Sequence, residues 1–343
     1  VSLQHWPDRD KCGLYVHTSP DGIHWTKSRE RQFPLGPDTA NQAMWDSQRG
    51  KYVAHIRVWN PMRKVGRIEM DDIMKPWPYE PLDEPYYIWG KDRIPVPSRE
   101  VPIAFEYDDE DPVPSDHYNS AAVEYPWAQA AYFMFPSAYL HFPEPPVGKH
   151  GNDGLLDIQL AVSRDGVKYR RLDRRPYVSL SPGEAKDSKC LYMAVGMIRR
   201  EDDIYQYYAG YEITHGAPQQ ATPDPIGSIC AVRQRLDGFI SADAAYTGGE
   251  ILTPPLKFSG DRLELNVDCS ALGSCRVGIL DADGEIVPGF GPDACDEIHG
   301  NHIRKTVTWR GESDLSSLAG RAVRLRFVLR ACKLYAFQFA KAR

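Results

Sequence analysis

The sequence predicts an all-β chain organised as two successive β domains. Two short elements recur along its first two thirds, few stretches carry a helical apolar period, and the last hundred or so residues switch to evenly spaced alternating strands. The chain has 343 residues, enough for two domains with sizeable cores.

The first recurring element is LYVHTSPDGIHWT (14–26), which returns as DIQLAVSRDGVKYRRL (157–172). Weaker copies are GSICAVRQRLDGFI (227–240) and VGRIEMDDIMKPW (65–77). Alternating apolar residues followed by an acid, in most copies Asp-Gly, predict a strand running into a tight turn. That makes Asp21 and Asp165 turn residues rather than chemical ones. The second element reads DTANQAMWDSQRGKYVAHIR (38–57), DHYNSAAVEYPWAQAAYFMFPSAY (116–139) and DSKCLYMAVGMIRREDDIYQYYAGY (187–211). Each copy opens with an Asp and a polar cluster, then gives a short apolar strand, a polar turn and an aromatic-rich strand. Small antiparallel sheets repeated in this way predict a β-propeller over 1–240, with units near 1–37, 38–115, 116–186 and 187–240. The segment 78–115, rich in Pro, Asp and Glu, reads as a long loop on the second unit. From 241 to 343, short alternating strands with Gly, Asp and Ser turns predict a β-sandwich, in which DADGEIVPGF is a hairpin.

Composition narrows the function. A net charge of −6 argues against a protein that binds nucleic acid through phosphate contacts, and no apolar run is long enough for a membrane-spanning helix. The 19 Tyr and 8 Trp serve sheet packing and also make good sugar-stacking surfaces. The seven Cys include no C-x-x-C pair, which disfavours a zinc ribbon, and four fall in the last quarter, where a disulfide can form. The chain starts without Met and runs almost at once into a strand. The expectation is a removed leader or a start inside a larger protein.

The SPDGIHWT and SRDGVKYRRL elements resemble the S-x-D-G-x-x-W strand-turn of the five-bladed propeller glycosidases. These include the β-fructosidases of glycoside hydrolase family 32 and the arabinanases and xylosidases of family 43. The closer resemblance is to bacterial family-32-like proteins of unassigned activity. It covers most of the chain, and is specific for architecture and weak for substrate. It implies a five-bladed β-propeller followed by a β-sandwich, a carbohydrate substrate, and a secreted or periplasmic location in a bacterium. The family-32 W-[ML]-N-D-P-N, R-D-P and E-C motifs are absent, so no catalytic residue carries over by motif. Only three full units are countable, which leads to the expectation that one or two N-terminal blades lie outside this sequence.

Residues at the starts of innermost propeller strands converge on one funnel. Glycoside hydrolysis needs two carboxylates there, ~5–5.5 Å apart for retention or ~6.5–9.5 Å for inversion. Asp116, Asp187 and Asp38 share the leading position of the second element and are candidate catalytic acids. Asp116 leads, with a predicted loss of activity and little effect on folding in Asp116→Asn. The competing reading is a repeated Asp that holds the loop entering each unit. Glu212 follows an aromatic strand and is a candidate general acid, its competing role being a surface acid. His117, Tyr118, Asn119, Asn41, Arg57, His215 and Tyr211 are candidate substrate-binding residues. Asp153 and Asp157, in HGNDGLLDIQ, could ligate a structural calcium; no other cofactor is expected. Two alternatives remain: a non-catalytic carbohydrate-binding propeller, and a protein-interaction propeller with an exposed apolar patch.

Overall fold

A computed structural model describes residues 2–4, 11–38, 40–59, 61–77, 82, 84–89, 91–143, 152–217 and 227–341. Parts of the 78–115 and HGNDGLLDIQ segments lie outside them. Among the described residues the protein is all-β; the helical content is one 3₁₀ turn at Ser316–Leu318. The chain divides into two compact units: 1–198 with 206–232, and 199–205 with 233–343.

In the first unit, the first copy of the second element is an antiparallel pair, Gln42–Asp46 with Lys51–Trp59, extended by Arg63–Met70 and Ile103–Phe105. Alternation sorts this sheet. Ala54, Ile56 and Val58 join Leu14, Phe33 and Ile68 in one core, while Val65 joins Phe105, Tyr132 and Tyr169 in another.

The second copy departs from the sequence expectation. Instead of one strand opening at Asp116, there are two short ones in different sheets. Ser115–His117 pairs with Ser137–His141, and Val123–Glu124 pairs with Tyr132–Met134. Between them Ala121 takes a left-handed conformation (φ 42°), which redirects the chain. The Ser137–His141 strand continues through Gly154–Ile158 and Cys190–Met193 to Asp203–Tyr211.

The Asp-Gly turns form through local hydrogen bonds. Ser19 Oγ accepts from the Gly22 amide, and Asp21 Oδ1 accepts from the amides of Ile23 and His24. Ser163 Oγ, Asp165 Oδ1, Gly166, Val167 and Lys168 repeat the same pattern. Gly22 and Gly166 hold the left-handed position at φ 76° and 67°. In the third copy that position moves to Asp237 (φ 57°), and in the fourth Asp72 Oδ1 caps Met74 N.

The second unit holds two antiparallel sheets. One runs Ala242–Ala244, Cys332–Ala340, Arg262–Asp268, Asn301–Thr306; the other runs Gly249–Leu252, Val323–Arg330, Ser274–Asp281. Leu263, Leu265 and Val267 from the first share one core with Val277, Ile279, Leu325 and Phe327 from the second. DADGEIVPGF is a hairpin: Asp281 Oδ1 accepts from the amides of Asp283 and Glu285, and Gly284 sits at φ 94°.

Candidate functional site

Pairing register decides where the polar cluster of SDHYN goes. Asp116 lies opposite Tyr139, then Leu156, Cys190 and Tyr211, so one row of side chains crosses the sheet on one face. His117, Ala138 and Asp157 make the adjacent row on the opposite face. Asp116 and His117, neighbours in sequence, therefore serve different surroundings.

Asp116 is 1% exposed, and its Oδ2 accepts from Arg63 Nη1 at 2.8 Å and His141 Nε2 at 3.1 Å. Its Oδ1 is buried without a hydrogen bond. Burial pushes this carboxyl up, but the His141 hydrogen bond and the Arg63 charge outweigh it and hold it below the usual range. His141 stacks on Tyr139 at 3.9 Å between ring centroids.

Tyr118 is the centre of the cluster. Its ring lies 4.7 Å from His215, 5.5 Å from Tyr192 and 6.0 Å from Tyr139. The Arg57 guanidinium sits over it at 3.9 Å and that of Arg63 at 5.5 Å. Arg57 donates to the Tyr118 carbonyl and also pairs with Asp38. Asp38, at φ 65°, is held by this ion pair, and Asn41 buttresses the turn by donating to the Asp38 carbonyl and accepting from Arg57 N. Asp38 and Asp116, far apart in the chain, are thus each tied to a guanidinium over the same ring. The Asp38 side chain remains 31% exposed, so it is the more accessible of the two acids.

His215 shares a hydrogen bond between Nδ1 and the Tyr192 hydroxyl at 2.8 Å. Burial, then the charges of Arg63 and Arg57, push its pKa down to about 4, so it is neutral at pH 7. Tyr211 packs against Tyr192 at 5.7 Å.

Other expected residues go elsewhere. Asp187 accepts from Tyr208, which points to the face of its strand opposite to Tyr211. Glu212 pairs with Lys186 at 2.8 Å. Asn119 is structural in its contacts, accepting from Ser137 N and donating to the Met193 carbonyl. His117 is buried beside Phe105, both ring nitrogens without a hydrogen bond; burial and then Arg171 lower its pKa to about 4. Asp153 Oδ1 accepts from the amides of Gly154 and Gly216. Among the described residues no group of three or more His, Cys, Asp or Glu side chains is arranged to hold a metal ion.

Arg63, His141, Tyr139 and Tyr192 escaped the sequence reading. Tyr139 and Tyr192 lie inside the recurring element, so aromatic density pointed near them. Arg63 and His141 carry no local signal, because their role depends on register. Arg63 also lies over Trp59 at 4.5 Å, and Trp59 lines a cleft of about 680 Å³ with Glu84, Tyr86, Ser98 and Arg99. A second cleft, of about 690 Å³, is lined by Trp45, Glu124, Tyr125 and Trp127.

No protein-family model matches the chain, and no curated protein matches it. Among solved structures it is similar to a glycoside hydrolase at 14% identity and TM-score 0.39, over 65% of this chain and 57% of that one. The chain thus spans little more than half the length of that structure. It is similar to a family-32 β-fructofuranosidase from Bombyx mori at 11% identity and TM-score 0.35, covering 96% of this chain and 73% of that one. A family-43 arabinoxylan arabinofuranohydrolase from Bacillus subtilis gives 12% identity and TM-score 0.23, covering 96% and 87%.

Proposed function

We propose that the Tyr118 cluster is a carbohydrate site and that the protein is a glycoside hydrolase in which Asp38 is the reacting carboxylate and Asp116 the buried charge behind it. The observation that carries this is their convergence: each is tied to an arginine that lies over the ring of Tyr118, with His215, Tyr139 and Tyr192 around it. Aromatic rings set among arginine, histidine and carboxylate groups suit a sugar, whose C–H face is apolar and whose rim is polar. In this reading Asp38, whose side chain is partly exposed, acts on substrate or on an attacking water, and buried Asp116 sets the charge behind it. Neutral His215 can bind a sugar hydroxyl. The architecture that goes with this reading is a five-bladed type of propeller for the first unit and a β-sandwich for the second, in an exported bacterial protein.

A second reading, a carbohydrate-binding propeller without turnover, is favoured by one observation. Glycoside hydrolysis needs a protonated acid at the leaving oxygen. The two acids at Tyr118 are both paired with arginine, and Asp157, whose pKa burial raises to about 6, lies on the other sheet face. Glycan binding and product release measured on the same oligosaccharide panel separate the readings. Hydrolysis predicts product release that falls ~10²–10⁴-fold in Asp38→Asn while substrate affinity changes little. Binding without product over long incubation would establish the second reading. Neither binding nor turnover across plant, algal and microbial glycans would remove both.

A further inference from the structure

The second unit contains a pair of cysteines set up to join. The strand Arg262–Asp268 pairs with Cys332–Ala340 so that Val267 faces Leu334 and Asp268 faces Lys333. One step further brings Cys269 opposite Cys332. Their Sγ atoms are 3.4 Å apart, and both residues lie in the core, at 0% and 3% exposed. Directly opposed residues of an antiparallel pair have Cα atoms about 4.5–5.5 Å apart, inside the range a disulfide spans. The Cys269 amide donates to Gly300 O, continuing the pairing with Asn301–Thr306, and its carbonyl accepts from Gly273 N, while Cys332 is paired with Ala244 on its other side, so both strands are held in register at this position.

We propose that Cys269 and Cys332 form a cross-strand disulfide when the protein folds in an oxidising environment. Cys275 is a third buried thiol close to Cys332, but it belongs to the other sheet, where its opposite number is Leu329. Facing sheets pack about 10 Å apart, more than a disulfide bridges between Cα atoms, so the partner within the sheet is favoured.

The chemistry is thiol–disulfide exchange with a small-molecule disulfide such as oxidised glutathione. One cysteine thiolate attacks it, forming a mixed disulfide and releasing one reduced thiol. The second cysteine thiolate then displaces the remaining half. The protein loses two electrons and two protons, and the co-reactant leaves as two thiols. The folded thiols resist this step. Hydrogen bonding to Cys269 lowers the Cys332 pKa, but its contact with Cys275 and burial raise it to about 12, and the Cys269 thiol is raised too. Closure therefore belongs to folding, while the two strands are pairing and still accessible.

The test is to refold the full chain in a mixture of reduced and oxidised glutathione, quench in acid, alkylate under denaturing conditions and map the peptides. The expected result is two alkylated thiols fewer than the seven cysteines, with Cys269 and Cys332 in one linked peptide pair, and a melting temperature that falls when reductant is added. Cys275→Ala, which leaves the pair intact, should keep the link. Seven alkylated thiols in correctly refolded protein, a link through Cys275, or loss of the link in Cys275→Ala would each overturn the proposal. The outcome is independent of whether the first unit acts on carbohydrate.

Discussion

At the scale of single residues, burial and pairing separate acids that look alike in sequence. Asp116 was expected to tolerate Asn with little effect on folding, but it is the buried partner of Arg63 and His141. Removing a buried charge partner costs about 3–5 kcal/mol, so Asp116→Asn should lower stability in urea titrations by several kcal/mol as well as altering the site. Its folded pKa is depressed, so its contribution is present above the unfolded value of about 3.9 and is lost as pH falls through the folded pKa. Asp157 has the opposite sign. Burial raises it to about 6, and its Oδ1 has no hydrogen bond. The folded state is thus favoured below about pH 4 and is penalised progressively as pH rises through 6. Asp157→Asn should remove that penalty, gaining about 1–3 kcal/mol over wild type at pH 7.5 and little at pH 4, read from denaturation at both pH values.

At the scale of elements, the Asp-Gly turns show what recurrence preserves. Both full copies use the same Ser–Asp–Gly hydrogen bonds, but their surroundings differ. A Cβ on Gly22 would meet nothing within 4 Å, whereas one on Gly166 would come within 2.9 Å of the Tyr132 ring. Tyr132 is fully buried and donates to Asp46, so it cannot move aside cheaply. Gly22→Ala should cost about 1–2 kcal/mol, the penalty of the left-handed backbone alone. Gly166→Ala should cost clearly more, and comparing their thermal unfolding checks the difference. These turns were legible in the sequence because each hydrogen bond joins residues two or three apart. The SDHYN segment was legible only as polar and strand-associated. Its split into two strands depends on the turn at Ala121 and on distant partners, Ser137–His141 and Tyr132–Met134.

At the scale of the whole molecule, each compact unit has its own apolar interior. Phe327, 1% exposed in the second unit, and Ile56, 2% exposed in the first, are independent probes. Phe327→Ala should remove about 3–5 kcal/mol and Ile56→Ala about 2–5 kcal/mol. Calorimetry should show two transitions, each variant lowering a different one; a single transition shifted equally by both would show one cooperative unit instead. The sequence by itself determined the all-β class, the Asp-Gly turns and the alternation that lines the cores, because these follow from backbone preferences and the two-residue period of a strand. It also marked Tyr118, Arg57, His215 and the leading acids as unusual. Only the tertiary structure decided which of them meet. Asp116 reaches Arg63 and His141, and Arg57 joins Asp38 to Tyr118, while Asp187 and Glu212 turn to Tyr208 and Lys186. The physical reason is that a side chain's company in a sheet is set by register and face, and both are fixed by pairings between strands that lie far apart in the chain.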